Sequence, residues 1–181
     1  MKRYKYIFVA TILLSVLYSG CILDAFDELV QNFSVERSFI IQGNTNNITP
    51  QTSSFSLEDS DVYEEYKNKI KDISFVAASV TVDSIDTPSL QGDMILTLKD
   101  ANGNTLFTHT FNDVKPADYY KNKAMLLTLT QAEMTAVNNY IDGSSNKTFT
   151  GSLDLENVTP ANTNIYLKCT LDVAFELVAD L

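Results

Sequence analysis

The sequence predicts an all-β fold, two antiparallel sheets packed face to face as a sandwich, with one or two short helical insertions. Three patterns predict it. The clearest is the last ribbon, where Ile165, Leu167, Cys169, Leu171, Val173, Phe175 and Leu177 fall on one side and Lys168, Thr170, Asp172 and Glu176 on the other. A strand with one dry and one wet face reads this way, whereas strands of parallel sheets tend to be apolar on both. Shorter alternating runs recur along the chain, parted by segments rich in Asn, Thr, Gly and Asp. Only two windows carry a helical spacing strong enough to break that rhythm.

Taken in order, residues 22–32 (ILDAFDELVQN) place Ile22, Phe26, Leu29 and Val30 on a stripe that suits one short helix or a collapsed lead-in. Phe33, Val35, Phe39 and Ile41 alternate as a strand. Residues 42–54 are polar, with Gly43 and Pro50, and read as a loop; Phe55 and Leu57 follow as a short strand. Val62, Tyr66 and Ile70 sit four apart on a helix over 60–71, capped by Asp59 or Ser60 and supported by a Glu65–Lys69 pair. A β-branched run over 73–86 sets Val76, Ala78, Val80 and Val82 on one face.

A hairpin comes next. Met94, Leu96 and Leu98 share a face, Asn102-Gly103 tolerates the positive φ of a tight reversal, and Leu106–Phe111 returns. Pro116 interrupts the following stretch, Tyr119 and Tyr120 offer aromatic cover, and 125–129 reads as a short strand. The best helix lies at 131–141. Thr130 and Glu133 make a capping box, Leu129 and Met134 a hydrophobic staple, and Met134, Val137 and Ile141 a buried stripe that Gly143 ends. Phe149, Gly151, Leu153 and Leu155 alternate before the last strand. Two sheets hiding one apolar face each is the natural solution, and an immunoglobulin-like sandwich is the preferred form, although the chain has no Trp and no disulfide landmark. A partly closed barrel and an α+β sheet are the alternatives this pattern leaves open.

The amino terminus has a separate logic. Lys2, Arg3 and Lys5 precede an apolar run from Ile7 to Ser19, and Ser19 and Gly20 put small groups before Cys21. That is the three-part build of an export signal. It is too short to cross a ~30 Å bilayer core, which needs ~20 apolar residues. The stretch Leu17-Tyr18-Ser19-Gly20-Cys21 resembles the signal of bacterial lipoproteins, with Tyr18 where that family has an aliphatic residue. The resemblance implies cleavage before Cys21, lipid on its sulfur and acylation of the new amino terminus. Ile22 after the cysteine implies the outer membrane. The expected division is therefore 1–20 signal peptide, 21–32 anchor-proximal segment and 33–181 a single sandwich domain.

Charge narrows the partners. The chain has 13 Lys and Arg against 23 Asp and Glu, a formal net charge of -10 at pH 7, and Lys2, Arg3 and Lys5 lie in the leader. Such a surface repels nucleic acid. Of the two cysteines, a lipidated Cys21 leaves Cys169 without a mate, and its strand position reads as a small hydrophobe of the core. No thiolate zinc pattern exists.

Candidate chemistry is sparse. His109 is the sole histidine, and a general base needs a nucleophile and an orienting acid that the sequence does not supply. Glu58, Asp59, Asp61, Glu64 and Glu65 crowd one region and read as helix caps and a solvated face rather than a glycosidase pair. Asp100, Asn102 and Asn104 place oxygens at alternate positions, the weak calcium candidate. An EF-hand would need Gly and Glu where Thr105 and Phe111 stand. Asn32, Asn47, Asn146 and Asn157 each open an N-x-S/T triplet, read as chance in an Asn- and Thr-rich chain. Tyr63, Tyr66, Tyr119 and Tyr120 are candidates for a carbohydrate or peptide groove.

These expectations describe a non-enzymatic lipoprotein of the bacterial cell envelope. It binds or scaffolds a protein or polysaccharide partner and uses membrane lipid through Cys21, with no cofactor and no catalytic residues. Two alternatives stand beside it: a carrier of an apolar or carbohydrate ligand with a deep cavity between the sheets, and an envelope hydrolase built on His109.

Overall fold

The computed structural model describes residues 28–121 and 123–180. The leader, Cys21 and the first part of the anchor-proximal segment lie outside them. Eight strands follow one another: β1 (Glu28–Asn44), β2 (Gln51–Ser56), β3 (Ile70–Ile85), β4 (Gln91–Lys99), β5 (Thr105–Val114), β6 (Met125–Leu126), β7 (Thr148–Thr159) and β8 (Asn164–Asp180). Helix α1 (Asp61–Tyr66) separates β2 from β3, and α2 (Gln131–Gly143) separates β6 from β7.

The strands form two four-stranded sheets, ordered β1-β8-β3-β6 and β2-β7-β4-β5, with every neighbouring pair antiparallel. Each sheet alternates early and late strands, so the chain crosses between sheets repeatedly. Two interleaved Greek keys of this order make a jelly roll. The expected antiparallel sandwich with two short helices is the observed fold.

Strand β8 behaves as its sequence dictates. From Ile165 to Ala179 every second residue is buried, and Leu167, Leu171 and Phe175 are 0–1% exposed. The strand lies between β1 and β3 and is paired along both edges. Its ladder with β1 runs unbroken from Glu28↔Asp180 to Asn44↔Asn164. That pairing draws residues 28–32 into strand rather than helix.

Phenylalanines close the gap between the sheets. Phe33 stacks on Phe175 at 5.5 Å, Phe175 meets Phe149 of the other sheet at 6.2 Å, and Phe149 stacks on Phe55 at 5.3 Å. Each buried Phe contributes roughly 1.5–3 kcal/mol, and each ring pair ~0.5–1.5 kcal/mol beyond area. The interior is thus filled by side chains, and the deep cavity that a ligand carrier requires is not found between the sheets among the described residues.

Strand β3 departs from simple alternation. Ile73 and Phe75 are buried, then Ala78, Val80 and Val82, so the inward face changes parity. A bulge between Phe75 and Ala77 inserts the extra residue. Val76, expected inside, consequently faces out at 53% exposure. Helix α1 is also shorter than its periodicity suggested, because Ile70 already pairs with Ala179 and starts β3. Its neighbour Asp59 does cap, but one turn earlier: it closes a capping box with Ser56 and receives Arg37 of β1.

Helix α2 forms where its start signals lie. Glu133 N–H donates to the Thr130 hydroxyl oxygen at 3.3 Å and Thr130 N–H to the Glu133 carboxylate at 2.7 Å. Val137 and Ile141 are buried, with Met134 and Leu129 packed partly against the core. At its far end the Tyr140 hydroxyl lies 2.6 Å from the Thr148 carbonyl and accepts Ala101 N–H at 3.2 Å, tying the helix to β7 and to the β4–β5 turn.

Candidate functional site

The residues singled out by chemistry do not converge. His109 sits half-buried on β5, opposite Leu96 in register, and its ring packs edge-on against Phe111 at 4.6 Å. Cys169 is fully buried between Phe39 and Val82 in register. Burial, with a smaller contribution from the Asp83 charge, pushes its thiol up to about 12. A thiol held so far above neutrality is not a nucleophile. Among the described residues no three His, Cys, Asp or Glu side chains stand close enough to hold a metal ion.

Asp100, Asn102 and Asn104 are brought together, as partners of one another. Asp100 is 8% exposed, and its carboxylate accepts Asn102 N–H, Asn104 N–H and Asn104 Nδ2, each at 2.8 Å. The Asn104 side chain first, then these backbone donors and that of Gly103, hold the Asp100 carboxyl below its usual range. Both oxygens are thereby committed to the turn. The four tyrosines divide: Tyr63 and Tyr66 lie on α1, Tyr119 and Tyr120 beyond β5. Tyr63 is buried, and burial followed by the Glu58 and Glu64 charges pushes its hydroxyl pKa up.

Two surfaces stand out instead. The first is the outward face of the β1-β8-β3-β6 sheet. Val30 and Ile40 occupy the outward parity of β1. Val76 is thrown out by the bulge, and Leu126 lies opposite the outward Ser79. Their exposures are 53%, 43%, 53% and 71%. Small residues lie between them, with Ala77 opposite Ala174 and Ser34 opposite Ala174 from the other side. A groove of about 360 Å³ lined by Asn32, Phe33, Ser34, Asp172 and Ala174 crosses this face. Within it, Asp172 Oδ1 is sealed from solvent with no donor among the described residues.

The second surface is the lateral edge where β5 and β6 end the two sheets. Residues 116–121 and 123–127 run along β3 there: Lys121 N–H donates to the Val82 carbonyl and Leu127 N–H to that of Ala78, both at 2.9 Å. Phe111, Tyr119, Lys123, Ala124, Met125 and Leu126 line a groove of about 340 Å³. Lys121 lies over the Tyr120 ring at 4.8 Å and Lys123 over Tyr119 at 4.7 Å. Arg37, Lys67, Lys71 and Lys168 each lie within 4.0 Å of an acid. Among the described residues Lys69, Lys99, Lys115, Lys121, Lys123 and Lys147 have no such partner, and of these Lys121 and Lys123 stand on the tyrosines of this edge. Sequence reading picked out Tyr119, which lines this groove, but not Lys121 and Lys123, because Pro116 marks their segment as a loop; the interleaving of Tyr and Lys over 119–123 was the available signal.

No family model matches the sequence, and no curated protein matches it. Among solved structures the chain is similar to one from turnip yellow mosaic virus, at 14% identity over 85% of this chain and 82% of that one, with a TM-score of 0.43. It is also similar to a chain from Desmodium yellow mottle tymovirus, at 13% identity over 83% and 84%, TM-score 0.39. A third likeness is to a semi-empty VLP of the giant freshwater prawn Macrobrachium rosenbergii nodavirus, at 8% identity over 85% and 95%, TM-score 0.39.

These likenesses are to virus chains and not to a bacterial lipoprotein, and the earlier expectation is corrected on that finding. Lipid anchoring through Cys21, the outer-membrane address, the envelope scaffold with its protein or polysaccharide partner, and the carrier and hydrolase alternatives are withdrawn. The lipoprotein resemblance rested on residues 17–21, a stretch too short to carry a fold. Cys21 itself lies outside the described residues. The jelly-roll assignment stands on the strand order alone.

Proposed function

We propose that this chain is a structural subunit that acts by binding other protein surfaces and not by chemistry on a substrate. The observation that carries this reading is the outward face of the β1-β8-β3-β6 sheet, which presents Val30, Ile40, Val76 and Leu126 to solvent. Apolar side chains left exposed along one sheet face suit association with a second surface.

The test is sedimentation velocity of the full chain over a range of concentrations, beside an Ile40→Lys/Val76→Lys variant. Both positions are exposed, so the variant keeps its core. The full chain is expected to form larger species as concentration rises, and the variant to need roughly tenfold more protein to do so. A full chain that stays monomeric up to ~0.1 mM refutes the proposal.

A further inference from the structure

We infer that the edge groove between β5 and β6 receives the acidic α1 region of a second copy of this chain, joining copies head to tail. This rests on the reading of the chain as an assembling subunit, and adds which surfaces meet and in what geometry.

Charge supplies the first reason. The chain carries a formal net charge of -10, yet Lys121 and Lys123 lie at one edge on the rings of Tyr120 and Tyr119, with Asp118 the single acid of residues 116–127. Cations stacked on tyrosine rings next to an apolar groove suit an acidic protein surface that also offers an apolar contact. The chain has such a surface. Glu58, Asp61 and Glu65 are exposed around α1, Glu64 is paired with Lys67 at 2.6 Å, and Val62 and Tyr66 are half-buried among them.

Topology supplies the second. The sheet orders place β1 and β2 at one lateral edge and β6 and β5 at the other. The acidic region is fastened at the first edge, where Arg37 of β1 holds Asp59. The groove lies at the second. A surface and its complement on opposite edges of one molecule cannot meet each other. They satisfy one another only between copies, through a heterologous contact that propagates into a ring or a filament.

Charge reversal tests this. Lys121→Glu/Lys123→Glu makes the groove acidic, and Glu58→Lys/Glu65→Lys makes the α1 region basic. All four positions are exposed, and circular dichroism checks that each variant folds. In full-length protein at low salt, each variant alone is expected to assemble roughly tenfold more weakly than the wild type, and an equimolar mixture to recover wild-type assembly. Raising the salt to ~1 M, where the Debye length is ~3 Å, should weaken the wild type and the mixture alike. Wild-type assembly indifferent to both reversals and to salt overturns the groove contact while leaving the structural-subunit reading intact. Reversals that weaken assembly without recovery on mixing also overturn it. A wild type that never assembles overturns both.

Discussion

The side-chain oxygen of Asn138 on α2 accepts the backbone N–H of Phe75 at 2.9 Å, at the residue where β3 bulges. A bulge frees a backbone donor from the ladder, and a donor left unmet in a half-buried site costs free energy. One helix side chain thus meets the donor beside the point where Phe75 turns inward and Val76 outward. Asn138→Ala is expected to destabilise the fold by roughly 1–3 kcal/mol in urea unfolding. A loss under about 0.5 kcal/mol would mean the bulge is held by the strands alone.

Two glycines mark close approaches of unequal hardness. A Cβ on Gly92 would stand 2.8 Å from the Glu156 carbonyl oxygen and 3.2 Å from Val158 Cα, both backbone atoms of β7. A Cβ on Gly151 would stand 3.1 Å from Phe39 Cζ, the tip of a side chain. Gly92→Ala should therefore cost more than Gly151→Ala, roughly 3 against 1 kcal/mol. Equal midpoints in the same denaturant series would show that β7 yields as readily as a phenylalanine ring.

Acid should loosen the β4–β5 turn. The Asp100 carboxyl is held below its usual range by Asn104 and neighbouring backbone donors, so the folded state resists the proton that the unfolded chain takes up near ~3.9. Its stabilisation is complete above the unfolded pKa and is lost as pH falls through the folded one. Asp93 (held by the Asp113 N–H, then Asn157) and Glu133 (held by the Thr130 N–H and hydroxyl) shift the same way. The thermal midpoint of Asp100→Ala should lie below wild type at pH 7, with the gap narrowing as pH falls below the unfolded carboxyl's ~3.9. A gap of constant width across that range contradicts the assignment.

Much of this architecture is legible in the sequence, and the exceptions have physical causes. Strand β8 could be read because burial on one face imposes period two, and Ile165–Leu177 keeps it throughout. Helix α2 could be read because Thr130 and Glu133 satisfy orphan N–H groups that any helix start leaves. Strand β3 misled because periodicity assumes one unbroken pleat, and an inserted residue moves every later side chain to the other face. The sheet order is invisible locally, since β8 finds its mates in β1 and β3 through contacts far apart along the chain. The cationic edge escaped for a similar reason: Phe111, Tyr119 and Leu126 meet only after β5 and β6 have been set at the same side of two different sheets.

The pairing of Glu28 with Asp180 has a consequence for how the polypeptide is born. Among the described strands β1 is made before the others, and its one ladder neighbour there, β8, is made after them, at ~5–20 residues per second. Throughout that interval Phe33, Phe39 and Ile41 lack the cover they later receive, and closure depends on the most distant contact the domain contains. Nascent chains of this protein should thus stay chaperone clients until β8 has emerged, and an incomplete product lacking β8 would leave one sheet without its centre.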